Sequence, residues 1–103
     1  MTTKITVIIY DNPDSTDAFE AGYADQLTLA HQIPGSQNLE TSKVWPKEDG
    51  SPTPAYRLLD LYFADYEAAG QAVTTAQARE FFDSVFKLAT GGVRILFADI
   101  DTT

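Results

Sequence analysis

Four short stretches of the chain, one of them weakly, alternate or concentrate apolar side chains at the spacing of β-strands, and two longer ones repeat them at the spacing of α-helices. Residues Lys4 to Tyr10 are rich in β-branched side chains and read as a first strand. Asp11-Asn12-Pro13-Asp14 reads as a turn. Phe19, Tyr23, Gln26, Leu27, Ala30 and Ile33 then recur near helical spacing, which predicts a helix from Ser15 to Gln32 that Pro34-Gly35 stops. A weaker alternation from Ser36 to Trp45 predicts a second strand, and a Pro-, Gly- and Ser-containing loop follows from Pro46 to Pro54. Tyr56 to Phe63 reads as a third strand, and Asp65 suits the cap of a short helix ending at Ala72. Thr74 and Gln77 fit a capping box that opens a helix to Leu88, and Gly91-Gly92 precedes a fourth strand from Val93 to Ile100. The order β-α-β-β-α-β predicts a ferredoxin-like α+β fold with an antiparallel sheet. No repeat or linker interrupts it, so residues 1–103 read as a single domain.

The strands are more apolar than a sheet with one wet face requires. Ile5, Val7 and Ile9 share one side of the first strand, with Thr6, Ile8 and Tyr10 on the other. Arg57, Leu59, Leu61 and Phe63 oppose Tyr56, Leu58, Asp60 and Tyr62 in the third, and Val93, Ile95 and Phe97 oppose Arg94, Leu96 and Ala98 in the fourth. Helices cover one face of such a sheet. A second copy of the chain covers the other most simply, so a homodimer is expected.

Charge and composition narrow the partners. A net charge of -8, from 15 acidic and 7 basic side chains, argues against nucleic acid and anionic membranes. No apolar run is long enough to span a bilayer and no signal layout opens the chain, so a cytoplasmic protein is expected. There is no cysteine and one histidine, which excludes a histidine–cysteine metal site and disfavours haem.

Four stretches, in order and spanning nearly the whole chain, carry a resemblance to a known family. They are Ile5 to Tyr10 with Asn12-Pro13-Asp14, Phe19-Glu20-Ala21-Gly22-Tyr23 through Leu29-Ala30-His31-Gln32-Ile33-Pro34-Gly35, Tyr56 to Phe63, and Ala89-Thr90-Gly91-Gly92-Val93. With these the chain resembles the EthD family of the dimeric α+β barrel superfamily. The resemblance implies a ferredoxin-like monomer, a dimeric barrel and a ligand cavity between sheet and helices. It implies action on, or binding of, a small hydrophobic organic molecule, by oxidation or isomerisation without a bound cofactor. One departure stands out: the family's Tyr-x-x-x-His-x-Pro-Leu meets Tyr23-Ala24-Asp25-Gln26-Leu27-Thr28-Leu29 here, so Leu27 occupies the place of the histidine. A non-catalytic binding or accessory module is the alternative that this loss supports.

The candidate residues follow. His31 lies one helical turn beyond Leu27 and is either an acid or base at the cavity mouth or a solvated histidine favouring the helix C-terminus. Asp60 interrupts an apolar strand and is either a cavity carboxylate or a structural partner of Arg94 or of an interface. Tyr23, Leu27 and Tyr62 are expected to contact substrate, with Tyr23 equally suited to plain core packing. Phe82 and Phe86 share a helix face at i,i+4 and are substrate contacts or, more simply, core. Gly91-Gly92 lacks the lysine and the following helix of a phosphate loop and reads as a helix stop.

Overall fold

Strict alternation along the first strand sets the architecture. The structure is a computed structural model that describes residues 2–9, 16–45, 47–51 and 55–101. The turn expected at Asp11 to Asp14, the helix start at Ser15 and part of the loop between Pro46 and Pro54 lie outside the described residues. In β1 (Thr3–Ile9), Thr3, Ile5, Val7 and Ile9 are buried and the residues between them half-buried. β3 (Arg57–Phe63) repeats the pattern with Leu59, Leu61 and Phe63. Successive side chains of a strand point to opposite faces, so each strand offers one row to the helices and one to the far side. β2 (Asn38–Lys43) and β4 (Val93–Asp99) complete an antiparallel sheet in the order β2-β3-β1-β4. The register sets Ile5 between Leu61 and Phe97, and Val7 between Leu59 and Ile95, so the apolar rows align across strands.

Among the described residues three helices lie on the sheet: α1 (Thr16–His31), α2 (Tyr66–Ala72) and α3 (Ala76–Leu88). α1 buries Phe19, Tyr23, Gln26 and Ala30, and Ile33 just beyond it, on one stripe. The chain leaves α1 through Gly35, whose φ of 84° few other residues tolerate. α1 and α3 pack so closely that a Cβ on Gly22 would stand 2.6 Å from Leu88 Cδ2. The buried stripe of α3 is Ala78, Phe81 and Val85. The core expectation for Phe82 and Phe86 is therefore displaced by one residue: Phe82 is half-buried against Phe81, and Phe86 is 59% exposed.

Two further expectations shift by a residue, each for a local reason. The cap of α3 is Thr75, whose hydroxyl accepts from the Ala78 amide at 3.2 Å. Thr74 instead donates to the Gln71 carbonyl at 2.7 Å, closing α2. Thr75 also donates to the Ala72 carbonyl at 2.7 Å, so one hydroxyl ends one helix and starts the next. Tyr56 precedes the strand rather than joining its alternation, and its ring meets Phe19 edge-on at 5.3 Å on the helix side of the sheet.

The cap assignment makes a prediction. Thr75→Ala lowers unfolding free energy in urea by about 1 kcal/mol, the usual cost of a lost cap. Thr74→Ala costs less, because its bond is exposed. A larger loss for Thr74→Ala would move the cap back to Thr74.

Candidate functional site

The residues singled out by sequence distribute over both faces of the sheet. Tyr23 sits on the buried stripe of α1, stacked on Phe19 with ring centroids 5.4 Å apart, and its hydroxyl shares a 2.6 Å hydrogen bond with Thr41 Oγ1 of β2. Burial pushes its phenol above the ordinary range, against the pull of the Thr41 hydrogen bond and the Arg57 charge. Leu27 is half-buried against the same core. His31, in the last turn of α1, is exposed. It lines a hollow of about 200 Å3 with Ser36, Gln37, Asn38 and Leu39.

Asp60 lies on the other face. It falls between buried Leu59 and Leu61, so it points away from the helices. Thr6 donates to its carboxylate at 2.5 Å and Lys4 Nζ stands 3.7 Å away. Register places Asp60 across from Glu40 and Thr6, while Arg94 pairs with Ile8 in the next row but one along β1. Tyr62 shares this face and donates to Glu40. That hydrogen bond, with burial and the charges of Glu40 and Asp60, pushes the Tyr62 phenol up to about 12. The structure thus gathers Tyr23 and Leu27 under α1, and Asp60 and Tyr62 on the open face. His31 and Phe86 are exposed, and Phe82 is half-buried against Phe81 and the core.

A second polar cluster was not among the expectations. Arg57 donates through one nitrogen to both carboxylate oxygens of Glu20, at 2.9 and 3.1 Å, and Tyr56 donates to the same carboxylate at 2.7 Å. The Arg57 guanidinium also stands 4.6 Å from the centre of the Tyr23 ring. Burial pushes Glu20 up, but the hydrogen bonds from Tyr56 and Arg57 and the charges of Arg57 and Lys43 outweigh it, so Glu20 titrates below its ordinary range. The sequence signal was Arg57 on the apolar side of its strand, which demands a partner. Deeper under α1, Gln26 is fully buried, and neither its amide nitrogen nor its carbonyl oxygen has a hydrogen-bond partner among the described residues. Among the described residues, no group of three or more His, Cys, Asp or Glu converges as a metal ion requires. No described helix is long and apolar enough to cross a membrane.

Two measurements follow from these environments. A carboxylate whose folded pKa lies below its unfolded value stabilises above the unfolded value and loses that contribution as pH falls through the folded one. Glu20→Gln therefore melts below wild type near neutrality, and the two curves converge as pH drops under the ordinary glutamate value of 4.5. A gap that persists unchanged in acid would show that the Glu20 charge is idle. On the open face, the Tyr62 ring carbon followed by NMR titrates at about 12 and moves back toward the ordinary 10.0 in Glu40→Gln.

Comparison with known proteins agrees with this architecture. No protein-family model matches the sequence. An uncharacterised 11.0 kDa protein of Rhodococcus erythropolis, from the thcB-thcC intergenic region, is 34% identical over 96 residues, covering 92% of each chain. An EthD family protein from Bacillus halodurans superposes with a TM-score of 0.89 at 20% identity, over 98% of this chain and 100% of its own. SnoaB, a cofactor-independent oxygenase from Streptomyces nogalater, superposes at 0.65 with 13% identity, covering 99% of this chain and 94% of its own. A dimeric ferredoxin-like protein of unknown function from Jannaschia superposes at 0.68 with 12% identity, covering 97% of this chain and 100% of its own. At such identities these structures establish a shared fold and leave chemistry to the site. The chain belongs to the family of the Rhodococcus erythropolis protein, and its fold is the ferredoxin-like α+β fold that the EthD family protein of Bacillus halodurans shares.

Proposed function

We propose that the chain binds a small, largely apolar organic molecule between α1 and the sheet, working as a homodimer that covers the open sheet face. One observation carries the ligand reading: the buried stripe of α1 brings polar atoms of Tyr23 and Gln26 into an otherwise apolar interior. Small-molecule sites are built in this way, from apolar walls with a few placed polar groups. Beside Tyr23 under α1 stands one charged side chain, Arg57, and it is engaged by Glu20; His31 is exposed and Asp60 faces away. That arrangement favours binding over acid–base chemistry. An oxidative or isomerising step without a bound cofactor is the catalytic form of the same reading, and the fold shared with an enzyme described as a cofactor-independent oxygenase supports it.

The dimer reading rests on the open face. Ile8, Leu58 and Tyr62 lie there half-buried, and Leu96 is 45% exposed. They form an apolar surface interleaved with Lys4, Thr6 and Asp60. The fold is shared with a protein described as dimeric.

Sedimentation checks the dimer: the expected particle has twice the chain mass of 11.3 kDa. Leu58→Glu shifts it to the monomer, and a monomeric wild type refutes the dimer. A thermal-shift screen of phenols, quinones, lactones and fatty acids, run on wild type and His31→Ala, checks the ligand. A compound at a hundred times its dissociation constant adds about 2.7 kcal/mol, which a melt resolves. A hit weakened by His31→Ala, with turnover of the same compound, selects the enzyme. A hit indifferent to the substitution and not turned over selects the binding module, and the absence of any hit removes the ligand reading.

A further inference from the structure

Gln26 stands out among the buried polar groups: Arg57 leaves one buried nitrogen, Nε, without a partner among the described residues, but its other contacts hold it to Glu20, whereas Gln26 has none. Thr3, also buried, donates to Asp99 at 2.6 Å, and Tyr23 uses its hydroxyl on Thr41. Gln26 has no exposed surface, yet both polar atoms of its side chain are idle among the described residues. A buried amide left unmatched costs about 1–3 kcal/mol, and leucine would fill a comparable volume at this position of the apolar stripe without that cost. An unpartnered pair of this kind calls for an occupant.

The occupant's route and chemistry are both constrained. α1 rises about 1.5 Å per residue. Glu20 stands at Arg57 and Tyr23 at Thr41, so α1 runs toward the row of Leu39 and Leu61, and Gln26 falls between the Thr41–Leu59 row and that one. Leu39 packs against the core and also lines the hollow beside His31, so it links that hollow to the interior beneath α1. The carboxamide presents an N–H donor and a carbonyl acceptor side by side. Its complement is a group that carries an acceptor and a donor with the same spacing. The net charge of -8 works against anions.

We propose that Gln26 is the polar anchor of the site beneath α1. It selects neutral ligands that place a hydrogen-bond donor beside an acceptor, as a primary amide, an undissociated carboxylic acid or an enolised 1,3-dicarbonyl does. The proposal rests on the reading of the underside of α1 as a small-molecule site. Ligands enter at the β2 edge past Leu39, and their apolar bodies lie against Leu39 and Leu61.

The test compares three probes of similar shape: benzamide, with donor and acceptor; acetophenone, with an acceptor alone; and ethylbenzene, with neither. Affinities are measured for wild type and Gln26→Leu, and the Gln26 side-chain amide resonances are followed in 15N-labelled wild type. The expected result is that benzamide shifts those resonances and that the benzamide-to-ethylbenzene affinity ratio falls about tenfold in Gln26→Leu, with acetophenone between them. Gln26→Leu without ligand is expected to melt above wild type. An unchanged ratio overturns the anchor while leaving an apolar site beneath α1. Failure of all three probes to bind overturns both. Amide resonances that ignore benzamide and show contact only with a long-lived water also overturn it, because the amide then holds water alone. That last measurement needs only wild type and decides the question even where Gln26→Leu does not fold.

Discussion

Ile5, Val7, Leu59, Leu61 and Phe63 have no exposed surface, and the rest of the molecule is arranged around covering them. Each is worth about 1.5–3 kcal/mol when removed from water. Antiparallel pairing puts Ile5 beside Leu61 and Val7 beside Leu59, so the two central strands present one continuous apolar patch. α1 and α3 cover that patch with Phe19, Tyr23, Phe81 and Val85. Because strand side chains alternate, the same choice sends Lys4, Thr6, Asp60 and Tyr62 to the far face. The location of every polar group near the sheet is a consequence of where the apolar row had to go.

The polar groups of α1 illustrate two outcomes of that constraint. At the edge of the sheet Glu20 meets Arg57 and Tyr56, and the carboxylate is held by three donated hydrogen bonds. Arg57 belongs by parity to the covered row, so without Glu20 its charge would be buried alone, a change that costs several kcal/mol in comparable sites. Six residues along the helix from Glu20, Gln26 occupies the centre of the stripe with no such answer among the described residues. A sequence under selection for stability alone has an inexpensive remedy at that position in leucine or methionine. Local rules broken in the core belong to function more often than to folding.

The strands, the long helices and the strand pairing were legible because periodicity carried them. The alternation of β1 and β3 and the stripe Phe19, Tyr23, Gln26, Ala30 correspond to real faces. Single-residue offsets were not legible. Thr74 and Thr75 are equally good caps by type, and the choice falls to Thr75 because the Thr74 hydroxyl is turned back to the Gln71 carbonyl of α2. Phe81, Phe82 and Phe86 all satisfy helical spacing with some neighbour, and only the direction of α3 relative to the sheet selects Phe81 with Val85. The candidate site was less legible for a related reason. Parity separated Asp60 from Leu59 and Leu61, but no pattern in the chain said which parity the helices would cover. Gln26 was visible within the helical stripe, where a glutamine among apolar residues is the signal that sequence offers for an interior amide.

The two faces of the sheet differ in how their polar atoms are satisfied, and that difference bears on what covers each. On the open face Glu40 and Asp60 oppose one another across β2 and β3, an arrangement that is unfavourable by charge alone. Each has its own donor within the chain, Tyr62 for Glu40 and Thr6 for Asp60, with Lys4 beside Asp60. A face whose polar groups are answered internally can be covered by another protein surface without leaving unmatched atoms behind. Beneath α1, beyond the Glu20–Arg57 cluster, the interior has the opposite character, with apolar walls and one amide whose bonds are unmade among the described residues. The proposed second copy of the chain suits the first surface, because it need supply only apolar contact. A small molecule suits the second, because it must bring both apolar volume and a matched pair of polar atoms.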